Sequence, residues 1–320
     1  MDLPIPFCQQ TNRVVSHPIP LHPDEIVAYY AMRRFGLTYF PDIANADFVF
    51  RTDQEPLFEG KTWQEHRAEG TVCLGTNGGP FDEHPFGDEP RKERETTASL
   101  IAKYLGVTEK PELRLILGYI LKNDLHAERD DPLMDFAESV RCSFVFPVMA
   151  PKQALFMHLC NLESIYCGQQ KFQAAADDLR RAKTIRVKAS HREYVIITAM
   201  TKNEDFTKYV RSKQANTKVS LIIIKNPETD GMFISPRKGY VEQTHIDHIA
   251  RIVRLAENKH RNRSSALDMF ELTKEGSTDE TPEWYFVHDN LHNRGVPSAI
   301  PLEELTELIA AVLSRNIKSA

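Results

Sequence analysis

The chain is short of the features that mark disulfide-built, membrane-spanning and broadly nucleic-acid-coating proteins. It has only five cysteines in 320 residues (Cys8, Cys73, Cys142, Cys160 and Cys167), an odd number at irregular spacings with no C-x-x-C pair. That pattern excludes a disulfide framework and a thiolate zinc site, and free thiols in a reducing compartment are expected. No apolar run approaches the roughly 18 residues that a spanning helix needs. The opening Met1-Asp2-Leu3-Pro4 lacks a basic-then-apolar leader, so a cytoplasmic location and no membrane partner are expected. Basic charge is not in excess. With 40 Lys and Arg against 45 Asp and Glu the net charge is −5, which removes a whole-surface nucleic-acid footprint but leaves room for a local basic groove. No internal repeat is visible.

What is present is a hydrophobic fraction of 41%, sufficient for a packed core. Apolar runs at 13–16, 46–51 and 71–74 read as strands, and 26–35, 95–105, 112–122 and 132–141 read as helices. The alternation predicts an α/β fold with a mostly parallel sheet. Residues 151–188 read as a helical connector. A second, smaller α/β unit follows: strands at 194–199 and 219–225, a hairpin partner at 232–235, helices at 205–213 and 245–260, a strand at 284–288 and a last helix at 302–314. The polar stretch 261–283 reads as a mobile loop. The expected domains are 1–150, a connector at 151–190, and 191–320.

Three clusters carry candidate chemistry. In the first, Ser16-His17-Pro18-Ile19-Pro20-Leu21-His22-Pro23-Asp24-Glu25, two imidazoles and two carboxylates crowd a strand-to-helix turn, the edge of a parallel sheet where ligands bind. Pro23, Asp24 and Glu25 also suit an ordinary helix start, where proline and acids are favoured. That account leaves His17 and His22 unexplained, and imidazole with carboxylate suits Mn²⁺, Zn²⁺ or Fe²⁺. The second cluster, Asp82-Glu83-His84, follows Gly78-Gly79. It reads either as a solvated acidic turn or as a metal- or phosphate-facing loop, because paired glycines permit close backbone approach. The third, Asn123-Asp124-Leu125-His126, ends an apolar helix. An acid at a helix C-terminus opposes the helix dipole, so Asp124 calls for a partner cation.

Taken in order, these clusters resemble the DHH phosphoesterase superfamily. The nearest pattern is its Myg-type, exonuclease-like branch, whose first motif reads Thr-His-x-Gly-x-Phe-His-x-Asp-Glu-x-x-Ala. Ser16 to Ala28 fits that spacing, with His17, His22, Asp24, Glu25 and Ala28 in register, and Thr96 to Gly106 resembles the Thr/Ser-rich helix that follows the Asp-His-His motif. The resemblance covers roughly residues 10–145. It implies a DHH-like N-terminal domain with His17, His22, Asp24, Glu83 and Asp124 as metal ligands, His84 contacting phosphate and Asp82 supporting it. Mn²⁺ is the implied cofactor, with Mg²⁺ or Zn²⁺ as alternatives. The implied activity is hydrolysis of a phosphoester in a nucleotide or short oligonucleotide, by a water that the metal activates. Two departures stand out. The family's carboxylate before Gly-Gly is replaced in Thr76-Asn77-Gly78-Gly79, and the middle histidine of Asp-His-His is Glu83. A catalytically impaired nucleotide-binding sensor or partner protein is therefore a second expectation. A metallohydrolase of a non-phosphate bond is a third.

Basic residues beside glycine in the C-terminal part, Arg237, Lys238 and Arg294, are the expected substrate contacts. His245 and His248 share a helix face and read either as a further metal or phosphate site or as plain amphipathic-helix residues. Arg251, Arg254, Lys259, His260, Arg261 and Arg263 read either as a nucleic-acid track or as a solvated face.

Overall fold

The computed structural model describes residues 7–18, 21–52, 55, 57–84, 92, 94–126, 136–145, 149–189, 192–263, 272–279, 281–293 and 296–315. The chain forms two compact units, residues 1–170 and 171–320.

In the first unit, β1 (Arg13–Ser16) leads into α1 (Pro23–Phe35), followed by β2 (Asp47–Phe50), a short α2 (Trp63–Ala68) and β3 (Thr71–Cys73). The strands form a three-stranded sheet in the order β2-β1-β3, and both pairings are parallel. Val14, Val15 and Ser16 of the central strand are completely buried, as expected where both faces of a parallel sheet are covered. Helices α3 (Thr97–Tyr104), α4 (Pro111–His126) and α5 (Phe136–Val145) complete the unit. Ile26, Met32, Ile101, Leu113, Ile116, Ile120 and Val140 pack with Val14 and Val72 in one core. Because β1 and β3 run parallel, the loops that leave their carboxyl ends, 17–22 and 74–84, emerge on the same edge. This is the placement expected for ligand-binding loops.

Helix α6 (Pro151–Arg181) crosses the division between the units. Leu155, Leu159, Leu162 and Tyr166 belong to the first core, and Ala175 to the second unit. The segment read as connector is not helical to its end, because Lys183–Lys188 is strand β4. Ile185 and Val187 alternate with Thr184 and Arg186, the period of a strand, and β4 pairs antiparallel with β5 (Glu193–Met200).

The second unit adds α7 (Phe206–Arg211), β6 (Leu221–Lys225), β7 (Met232–Pro236), α8 (Gln243–His260), β8 (Trp284–Val287), β9 (Asn290–Asn293) and α9 (Leu302–Ser314). Its six-stranded sheet has the order β4-β5-β6-β7-β9-β8, and β5–β6 is parallel while the other pairs are antiparallel. The expected hairpin of β6 with β7 is present, and β9 is a strand that the sequence reading missed. Successive residues face opposite ways: Ile196, Leu221 and Ile223 join α8 and α9, while Ile197 and Ile222 join Phe206 and Val210 of α7. The second sheet is thus mixed, whereas the sheet of the first unit is wholly parallel. All five cysteines are free, and among the described residues no helix is long and apolar enough to cross a membrane.

Candidate metal centre

The three clusters meet at the carboxyl edge of the parallel sheet. Ligand atoms of His22, Asp24 and Asp124 lie within 4.8 Å of one another, and so do those of Asp82, Glu83 and His84. The His17 ring bridges the two groups, with its centroid 5.2 Å from that of His22 and 5.0 Å from that of His84. His17 belongs to neither three-residue group.

Asp24 sits in the first turn of α1, as the helix-start reading requires, but it is 2% exposed. Its Oδ2 accepts the main-chain N–H of Thr97 at 3.1 Å. That N–H belongs to the first turn of α3, where helix amides have no partner within the helix. Asp24 Oδ1 is buried and has no hydrogen-bond partner. Burial raises the Asp24 pKa well above the ordinary carboxylate value, and the neighbouring carboxylates Glu25, Glu83 and Asp124 push it further.

The acidic loop after β3 is not a solvated turn, because Asp82 is 4% and Glu83 2% exposed. Asp82 Oδ2 accepts the Gly78 N–H at 2.8 Å. Its Oδ1 accepts from the His84 main chain at 3.0 Å and from His84 Nδ1 at 3.1 Å. Burial raises the Asp82 pKa, but these donors outweigh it and hold the carboxyl below its usual range. Glu83 accepts the Thr97 hydroxyl at 2.7 Å. Burial still raises its pKa, offset only in part by that hydroxyl. Asn77 and Gly78 adopt left-handed conformations (φ +68° and +63°), which brings the Gly78 amide onto Asp82.

Glu25 suits the helix start, as expected, and it does more. One oxygen caps α1 by accepting the His22 N–H at 3.1 Å. The other accepts the His17 N–H at 3.1 Å and meets His17 Nδ1 at 2.6 Å. Burial pulls the His17 imidazole down, but the hydrogen bond and charge of Glu25 outweigh it, and the net shift is upward. Gly75 (φ +58°) forms the floor. A Cβ there would lie 2.9 Å from Thr97 Oγ1, 3.0 Å from Glu25 Oε1 and 3.1 Å from His17 Cε1.

At position 76, where the resemblance places a carboxylate, the buried Thr76 hydroxyl accepts from Arg51 Nη1 at 2.6 Å. Arg51 is itself buried and lies over the Phe58 ring. A guanidinium–hydroxyl pair thus fills that place.

Gathering this many carboxylates out of water is costly unless opposite charge joins them. The donor set, imidazole and carboxylate oxygen with one orphaned buried oxygen, fits a divalent cation such as Mn²⁺ or Zn²⁺. His22, exposed, and Asp124, half-buried, open the group to solvent.

The second-unit candidates have different surroundings. Arg237 stacks 4.2 Å over the Tyr240 ring, Lys238 forms a bridge with Val241, and Arg294 lies outside the described residues. His245 packs on Tyr194, and His248 Nδ1 meets the Thr244 carbonyl at 2.9 Å. Neither joins a convergent ligand group among the described residues. Much of the basic stretch is engaged within the protein. Arg254 is fully buried and donates to the carbonyls of Leu272, Lys274 and Gly276. Arg261 pairs with Glu257, Arg263 with Glu283 and His260 with Glu304. Those Arg254 bonds also fasten part of the stretch expected to be a mobile loop.

No family model and no curated protein matches the chain. Among solved structures, an uncharacterized protein from Helicobacter pylori G27 is similar at 10% identity over 96% of this chain and 100% of that one. The TM-score is 0.22, and a likeness at that level carries no argument.

Proposed function

We propose that the N-terminal unit is a divalent-metal centre that hydrolyses a phosphoester in a nucleotide or short oligonucleotide. The observation that carries the reading is Asp24: a buried carboxylate with an unpartnered oxygen, beside His22 and Asp124 at the loop edge of a parallel sheet. A cation bound there supplies Lewis acidity, activating water and offsetting phosphoryl charge. His22, Asp24 and Asp124 hold it, with Glu83 and the Nε2 of His17 as further donors. His84 takes the phosphate-facing role, and Asp82 fixes its ring through Nδ1.

Thr76 supports the second reading, a nucleotide-binding relative with impaired catalysis. Two close cations need shared anionic ligands, and the hydroxyl already engaged by Arg51 is not one. A single assay separates the two readings. Purified protein with Mn²⁺ is tested on bis(p-nitrophenyl) phosphate and short oligonucleotides beside a His22→Ala, Asp24→Ala variant, with bound metal counted by mass spectrometry. Turnover lost in the variant supports the hydrolase. Nucleotide binding with no turnover above the variant supports the sensor. A wild-type protein that takes up neither metal nor nucleotide sinks both.

A further inference from the structure

We infer that Glu25 is a positioning residue that fixes the ring and the tautomer of His17, leaving Nε2 as the nitrogen available to a metal. The metal part of this inference rests on the function proposed above; the tautomer part does not.

The Glu25 carboxylate is 1% exposed and takes three donors on two oxygens. Capping of α1 accounts for Oε2, which accepts the His22 amide. It does not account for Oε1, which sits 2.6 Å from His17 Nδ1 and also accepts the His17 amide. A carboxylate has only acceptors, so Nδ1 carries a proton, and in the neutral ring Nε2 is left with the lone pair. In metal sites a carboxylate behind a histidine fixes the ring in this way and strengthens it as a ligand. The surroundings leave His17 few other positions. Its ring packs against His22 and His84, and Gly75 closes the space beneath it with no room for a side chain. Glu25 thereby ties the His17 ring and the His22 main chain to the start of α1, from a position that sequence spacing explains as a cap alone.

Glu25→Ala removes every acceptor that the carboxylate offers to His17 and His22. The neutral His17 ring then has no partner holding its proton on Nδ1 and is free to carry it on Nε2, where it blocks the lone pair. The lost cap is read separately, from thermal melts.

The experiment is ¹⁵N–¹H correlation of the histidine rings in the metal-free protein, at a pH where the rings are neutral. The His17 signals are assigned by their loss in His17→Gln. Calorimetric Mn²⁺ titration of wild type, Glu25→Ala and His17→Gln is run alongside, with thermal melts as a check on folding. The expected result is an Nδ1–H tautomer in wild type, loss of that single tautomer in folded Glu25→Ala, and Mn²⁺ affinity about 10- to 100-fold weaker in that variant. An Nε2–H tautomer in wild type overturns the inference without any variant. So does a folded Glu25→Ala protein with altered melting but wild-type tautomer and affinity, which is the signature of a cap alone. A tautomer switch with unchanged affinity overturns the metal part. If wild type takes up no Mn²⁺, the metal-centre reading fails, and the tautomer still decides what Glu25 does.

Discussion

Thr97 donates its hydroxyl to Glu83 at 2.7 Å while its main-chain N–H serves Asp24. One residue at the start of α3 therefore sets the spacing of two buried carboxylates that come from different loops. Thr97→Val keeps the amide bond and removes the hydroxyl, leaving a buried Glu83 oxygen without its donor. The expected cost is about 1–3 kcal/mol, seen as a lower melting temperature of the metal-free protein, with Thr97→Ser close to wild type.

Asp24→Asn is expected to change stability and metal affinity in opposite directions. Asp24 has a raised folded-state pKa, so the folded protein binds the proton more tightly than the unfolded chain. Its contribution is favourable near the unfolded carboxylate value of about 3.9 and is lost as pH rises through the folded value. The metal-free variant therefore melts with wild type at acid pH and above it at pH 8. Its Mn²⁺ affinity falls by at least about tenfold, since loss of a ligand costs no less than loss of a ligand's support. Melting curves at several pH values with and without Mn²⁺ check both; a variant less stable than wild type at pH 8 contradicts the crowded-carboxylate account.

Gly75→Ala places a methyl against Thr97, Glu25 and His17 in a left-handed backbone position. A loss of about 1–3 kcal/mol is expected from backbone strain, before counting the displaced neighbours. Denaturant unfolding measures the loss, and Mn²⁺ titration should show weakened binding in the folded variant.

In the second unit, Glu257 accepts from Trp284 Nε1, Ser298 Oγ, the Ala299 N–H and Arg261 Nε, all between 2.7 and 2.9 Å. Burial raises its pKa, but these donors outweigh it and the net shift is downward. Its stabilisation is therefore present above the unfolded glutamate value of about 4.3 and is lost as pH falls through the folded value. Glu257→Gln should cost about 2–5 kcal/mol at pH 7 and less in acid, measured by urea unfolding at both pH values.

Elements with unmixed signals were legible in the sequence. Arg13–Ser16 is a short β-branched run before a Pro-Asp-Glu helix start, and both β1 and α1 form there. Lys183–Lys188 was hidden because it follows a long polar helix with no glycine or proline between them. Asn290–Asn293 was hidden because its strand character comes from pairing with β7 and β8 rather than from composition. Within the site, His17 and His22 were visible because a helix start does not call for histidine, although His22 is the N-cap residue of α1, and Asp124 because it opposes its own helix dipole. The bonds that Glu25 makes to the His17 ring and Thr97 to Glu83 were not visible, since both run to residues that local helix-start rules do not consider. Arg254 misled for a related reason: its partners are main-chain carbonyls, which leave no mark in a sequence.

The parallel order β2-β1-β3 also divides the first unit into two rims with different tolerances. The candidate metal ligands gather at the rim where β1 and β3 finish. The opposite rim, where the strands begin, carries the turn between α1 and β2, with Ala44 and Asn45 exposed beyond the buried anchors Phe40 and Ile43. An epitope or fluorophore spliced in at that corner would ride on the far side of the sheet and report on the folded unit without disturbing its chemistry.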